Sequence, residues 1–130
     1  MTERAGAAIS TLLLASETVT GLVGDKVFPV VVDTDVSEPF IVYRRTGLIP
    51  SYQKDSRGKD SIFVDVLIVS ESYSKTIQIY TAVINAVERK RGVIAGVNID
   101  DIRLADSLED ADENYNVQQL TFEILINVLN

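Results

Sequence analysis

The sequence predicts an α+β domain, a mostly antiparallel sheet of four to five strands with two helices packed on one face. Three observations lead there. Two segments, near 5–13 and 73–87, repeat apolar residues at the three-and-four spacing of a helix stripe. Others, best seen in 61–70 and 116–127, alternate with the period of two that belongs to strands. Helices with one apolar stripe and a sheet with one strongly apolar face satisfy each other when both helices lie on that face. At 130 residues, with 46% apolar and 24% charged side chains and no internal repeat, the chain reads as one globular domain, 1–130.

The first helix is carried by Ala5, Ala8, Ile9, Leu12 and Leu13, and "SETVTGLVGD", punctuated by Gly21 and Gly24, is its exit. "MTER" adds no positive excess, and Ser10 and Thr11 interrupt the apolar run, so the segment reads as an amphipathic helix and not as a secretory leader. "KVFPVVV" is a short β-prone run in which Pro29 removes a ladder donor, which favours an edge strand. After the turn-rich "DTDVSEP", Phe40 to Tyr43 form a strand that ends in Arg44 and Arg45. Consecutive strand residues point to opposite faces, so these two arginines cannot share one solvent face. "LIPSYQKDSRGKD", 48–60, has turn residues and little periodicity, and is expected to be a long mobile loop.

"SIFVDVLIVS" places Ile62, Val64, Val66 and Ile68 on one face, with Phe63, Asp65, Leu67 and Val69 on the other. The second helix follows, with the stripe Tyr73, Ile77, Tyr80, Ile84 and Val87, a cap at Ser72 or Ser74, and Arg89, Lys90 and Arg91 at its negative end. Gly92 is the expected stop. "VNIDDIRLADSL" reads as a strand, "EDADEN" as a turn, and "YNVQQLTFEILINVL" as a last strand with Leu120, Phe122, Ile124 and Ile126 inward and Gln119, Thr121 and Glu123 outward.

The composition excludes several chemistries. With no histidine and no cysteine, a Ser-His-Asp triad, a Cys-His dyad, a disulfide and a zinc site of the usual ligands are all impossible. "DADENYNVQQLT" fails as an EF-hand, having Tyr115 where the turn needs glycine and Thr121 where the bidentate glutamate belongs. A looser carboxylate site for calcium or magnesium, and an acid–base enzyme built from carboxylates and tyrosines, are the weakest readings. "GLVG" and "GVIAG" lack the phosphate-loop spacing, and no cofactor is expected. The net charge of −7 argues against binding nucleic acid by bulk electrostatics. No uncharged apolar run approaches the ~20 residues of a membrane span.

The charge is unevenly distributed. In 44–60, Arg44, Arg45, Lys54, Arg57 and Lys59 against Asp55 and Asp60 leave +3, whereas 100–114 carries seven carboxylates and one arginine, −6. A basic segment and an acidic segment on one chain suit head-to-tail contact between copies, which closes into a ring where the rotation allows. The candidate interface is therefore Arg44, Arg45, Lys54, Arg57 and Lys59 with Asp110, Asp112 and Glu113. The second apolar sheet face, Phe63, Leu67 and Val69, keeps another reading open: a small ligand-binding or regulatory module dimerising through that face.

The ordered segments "LVGDKVFP", "EPFIVYRRTG", "IFVDVLIVS", "SYSKTIQIYTAVINAV" and "NVQQLTFEILI" resemble the tail completion family of long-tailed bacteriophages, also called tail-to-head joining or tail terminator proteins, from about Ile9 to Ile126. The resemblance implies a structural virion protein with no catalytic residues. Its expected partners are its own copies in a ring, commonly of six, the tail tube protein and the head-tail connector protein, with DNA passing through the lumen. It implies a place at the head-proximal end of the virion tail, after synthesis in the bacterial host cytoplasm.

Overall fold

The structure is a computed structural model, and it describes residues 5–29, 39–49, 59–111 and 115–127. The chain runs α1 (Ala5–Ala15), α2 (Glu17–Val23), β1 (Val27–Pro29), β2 (Phe40–Ile49), β3 (Lys59–Ser70), α3 (Tyr73–Val87), β4 (Gly92–Ile94), β5 (Val97–Ala111) and β6 (Asn116–Asn127). The α+β class holds, but the expected four to five strands and two helices become six strands and three helices. The sheet order is β1-β2-β3-β6-β5-β4. Four of its five pairings are antiparallel; β1 lies parallel to β2, with Val27 beside Ile41.

The extra helix comes from a break in the N-terminal one. Ser16 is extended (ψ 117) and its hydroxyl accepts the Val19 N–H at 3.3 Å, capping α2 at 87° to α1. Gly24 then ends α2 at φ 67, a conformation that glycine adopts without strain, and its N–H donates to the Thr20 carbonyl at 2.8 Å. The extra strand, β4, is too short to show a period. It is joined to β5 by Ala95 and Gly96, both at positive φ, as a tight two-residue hairpin turn requires.

Strand alternation reads true in the centre. Ile62, Val64, Val66 and Ile68 of β3 and Leu120, Phe122, Ile124 and Ile126 of β6 are fully buried on the helix side, paired Ile62–Ile124, Val64–Phe122 and Val66–Leu120. Strand ends differ from expectation. β2 does not end at the arginines but continues to Ile49, and β3 begins at Lys59, so the expected 48–60 loop loses both ends. Its remainder, 50–58, lies outside the described residues. β5 likewise takes in Glu109, Asp110 and Ala111, which had been assigned to the acidic turn.

α3 also departs from its predicted stripe. The buried residues are Thr76, Ile79, Ala82, Val83, Ala86 and Val87; of the expected stripe Val87 is buried and Tyr80 and Ile84 pack at the core's margin, while Tyr73 is half exposed and Ile77 is 36% exposed. Two stripes compete on this helix. The one rich in alanine brings the backbone closer to the sheet, and Thr76 joins it because its hydroxyl donates to the Ser72 carbonyl at 2.8 Å. Ser72 caps the start as expected, accepting the Lys75 N–H at 3.3 Å. The end differs: α3 stops at Val87 and Arg89 takes the positive φ of 65 just beyond it, while Gly92, at φ 111, opens β4. The Arg89 N–H donates to the Ile102 carbonyl at 2.7 Å and its guanidinium meets Asp101 at 2.6 Å, so this arginine ties the helix end to β5.

α1 packs against β2, β3 and both edge strands, β1 and β4. A flat sheet of six strands is ~24 Å wide and a helix ~10 Å across, so the sheet must curl around α1 for both edges to touch it. Ala5, Ala8, Ile9 and Leu13 fill that curl completely buried. Gly6 faces the Tyr43 ring, where an added Cβ would come within 3.1 Å. Replacing Ile9 by alanine is expected to cost about 2–5 kcal/mol, read as a lower urea midpoint with an unchanged slope.

Candidate assembly surfaces

The sheet face turned away from the helices is built around a buried charge. Asp65 of β3 is 5% exposed, and its carboxylate accepts from the Thr121 hydroxyl at 2.7 Å and the Gln119 side-chain amide at 3.1 Å. Directly across on β2, Arg44 is half exposed and reaches the same carboxylate at 3.7 Å. One residue row further along, Arg103 of β5 pairs with Glu123 of β6 at 3.4 Å. The apolar neighbours Phe63, Leu67 and Val69 are partly buried and interleave with these charges, so the face is not the bare apolar patch expected.

The far half of β5 is the second surface. β4 covers only Val97–Ile99, and the end of α3 closes the next stretch, where Leu104 N–H donates to the Glu88 carboxylate at 3.3 Å. From Ala105 to Ala111 every residue is exposed, including Leu108 at 54%. On the helix side, Glu109 accepts from the Tyr73 phenol at 2.8 Å and the Gln118 amide at 2.6 Å, and the Tyr80 and Ser107 hydroxyls meet at 3.1 Å. Hydrogen bonding to Glu109, followed by repulsion from its charge, raises Tyr73 above the ordinary tyrosine value of 10.0.

The candidate residues divide between these surfaces. Arg44 is committed to Asp65; Arg45 points to the opposite side of β2, exposed, level with buried Val64 and beside the bulge at Arg45/Gly47. Lys59 opens β3 opposite Asn127, and Asp110 lies near the end of β5 opposite Val117. Lys54, Arg57, Asp112 and Glu113 lie outside the described residues. Within one chain the structure does not bring Arg44, Arg45 or Lys59 to Asp110, which stands at the other end of the sheet. The reading of the sequence missed Asp65 as an organiser. Its signal was a lone acid among Phe63, Leu67 and Val69, matched by Gln119 and Thr121 two apart on β6.

A third feature is an open groove of about 610 Å³ between α2 and α3, lined by Gly21, Leu22, Ile77 and Thr81. Among the described residues no group of three carboxylates is placed to hold a metal ion, and no single helix is long and apolar enough to cross a membrane.

The curled sheet wrapped on a helix carries paired charges on its outer face, and among the described residues no strand lies beside β2 beyond Tyr43 or beside β5 beyond Ile99 on their outer edges. The family model for tail completion protein gp17 matches residues 7–127, and the chain belongs to that family of bacteriophage virion structural proteins. Among solved structures, a chain from the virion of a native gene transfer agent particle superposes with a TM-score of 0.82 at 13% identity, covering 94% of this chain and 93% of that one. At that identity the likeness is one of fold. No curated protein matches by sequence.

Two outcomes are expected here. Asp65→Ala strands the Thr121 hydroxyl and removes a buried partner, costing about 1–3 kcal/mol, whereas Arg44→Ala, half in water, costs under about 1 kcal/mol. Denaturant unfolding of both variants checks the order. In an NMR titration of the tyrosine rings, Tyr73 should ionise at higher pH than in the Glu109→Gln chain; equal values would remove Glu109 as the cause.

Proposed function

We propose that this chain forms a ring that caps the finished tail tube and offers the docking surface for the filled head. The single observation that carries the reading is the family match across 7–127, nearly the whole folded domain. The gene transfer agent particle, a virion assembly that contains a chain of the same fold, supports it. On this reading the protein sits at the head-proximal end of the tail after synthesis in the host cytoplasm. Its partners are further copies, six to a ring, the tail tube protein and the head-tail connector.

The work is stoichiometric, not catalytic. α1 and the curled sheet hold each protomer rigid, and exposed charges set how copies meet. Of the two adjacent arginines Arg45 is the one available for this, because it is exposed on β2 without the tie that binds Arg44 to Asp65. The net charge of −7 suits a channel through which DNA slides without sticking, since like charges repel. A ring reconstruction with a basic channel would overturn that part.

Negative-stain microscopy of the purified protein, alone and with tail tubes, tests the whole. Rings or capped tube ends are expected. Arg45→Glu should weaken assembly while leaving the unfolding midpoint within about 0.5 kcal/mol of the parent, and unchanged assembly removes Arg45 from the interface.

A further inference from the structure

On the assembly reading above, we infer that copies meet edge to edge, the outer edge of β2, Arg44–Ile49, of one copy pairing antiparallel with the outer edge of β5, Ala105–Asp110, of the next. The two edges are open in the same way. β1 pairs with β2 only as far as Tyr43, and β4 pairs with β5 only from Val97 to Ile99. Among the described residues no strand lies beside the remainder of either. An open strand edge is a template for β-addition, which is why natural proteins guard it with charge.

Charge selects which edge meets which. β5 against itself would set Asp106, Glu109 and Asp110 of two copies together, and β2 against itself would do the same with Arg44 and Arg45, where like charges repel. β2 against β5 brings opposite signs together. Within one chain β3 and β6 stand between these two edges, so the pairing is between copies. The contact joins different surfaces of the two partners and is heterologous, the kind that closes a ring or runs on as a filament according to its rotation.

The backbone selects the register. The Ile41 N–H donates to the Lys26 carbonyl on the β1 side, and alternate residues turn their backbone groups the same way, so Arg45 presents its N–H and carbonyl to the open edge. On β5 the Ile102 carbonyl and the Leu104 N–H are taken on the outer side by Arg89 and Glu88. The register shift at Leu104/Asp106 then makes Ser107, Glu109 and Ala111 the outward set, and the Ser107 and Ala111 N–H groups donate to the Asp106 and Asp110 carboxylates, each at 2.8 Å. Arg45 opposite Glu109 is therefore a hydrogen-bonded pair, and the same register sets Arg44 opposite Asp110. Faces agree as well. Arg45 is level with Val64 and Glu109 meets Tyr73, both on the helix side, while Arg44 meets Asp65 and Asp110 is one alternation from Leu108, level with Gln119, both on the outer side. The bonds from Tyr73 and Gln118 both fall on Oε1 of Glu109, which leaves Oε2 for Arg45. Carried through the bulge at Arg45/Gly47, the ladder sets Gly47 opposite Leu108, where a residue without a side chain leaves room for one that is 54% exposed. It ends with Ile49 opposite Asp106, short of the stretch that Glu88 closes.

The chain has no cysteine, so the double variant Arg44→Cys/Asp110→Cys reports the register against no background. Opposite residues outside the hydrogen-bonded pairs lie ~4.5 Å apart at Cα, within reach of a disulfide. Oxidised at concentrations where the parent chain forms rings, this variant should give a ladder of covalent multimers. Arg44→Cys/Glu109→Cys, whose thiols point to opposite faces, should give none. Parent rings without the ladder, or equal linking by both double variants, overturn the edge pairing and leave the ring reading standing. A ladder from open filaments supports the edge contact and overturns ring closure. A parent chain that forms no assembly and a variant that does not link overturn both. Charge exchange guards against a cysteine pair that merely disturbs the edge. Arg45→Glu and Glu109→Arg should each raise the concentration needed for assembly about tenfold, which is about 1.4 kcal/mol. The chain carrying both exchanges should assemble as the parent does, because each contact again joins opposite charges, and failure to restore assembly counts against the pairing.

Discussion

Everything in this fold depends on α1 lying inside the curl of the sheet. The helix touches both edge strands of a six-stranded sheet, which a flat sheet forbids by more than a helix diameter. The sheet can close that far because three register shifts, at Arg45/Gly47, Ile99/Asp101 and Leu104/Asp106, add local twist to long strands. The helix can enter because its buried face is small at Ala5 and Ala8 and filled at Ile9 and Leu13. Removing volume from that face leaves a hole that the surrounding sheet can fill only in part.

With the apolar side of the sheet spent on helices, the outer side carries charge in an ordered way. Asp65 lies on the central strand, and its partners come from both neighbouring strands, Arg44 from β2 and Gln119 and Thr121 from β6. A slip of one residue in β6 would carry Gln119 and Thr121 to the other face and take both neutral donors from a buried carboxylate. The network therefore specifies register more than it adds stability. Its ion pair is long and half in water.

The tail completion assignment and the fold meet in how the two ends of the sheet differ. One end joins β2 to β3 through a basic connection, and the other carries the acidic reach of β5 beyond the helix cover. Charge polarised in this way suits the head-to-tail contact between copies that the proposed ring requires. Tyr73 and Tyr80 belong to the same logic. Tyr73, exposed, and Tyr80, packed at the margin of the core, brace β5 from the helix side through Glu109 and Ser107.

Much of this was legible in the residues. The alternation in "SIFVDVLIVS" and "NVQQLTFEILI" identified the two central strands and their buried faces, because a period of two leaves no choice of side once one face is apolar. The absence of histidine and cysteine excluded whole classes of catalysis, and the ordered segments pointed to the family. The helix break at Ser16, the hairpin at Ala95–Gly96 and the buried stripe of α3 were not legible, since each depends on which of two local options packs better. Arg44 and Arg45 show the division most plainly. Their adjacency on a strand determined that they face opposite ways; only the tertiary structure decided that one meets Asp65 and the other meets water, because Asp65 is distant in sequence and comes opposite Arg44 only when β2 and β3 pair in register.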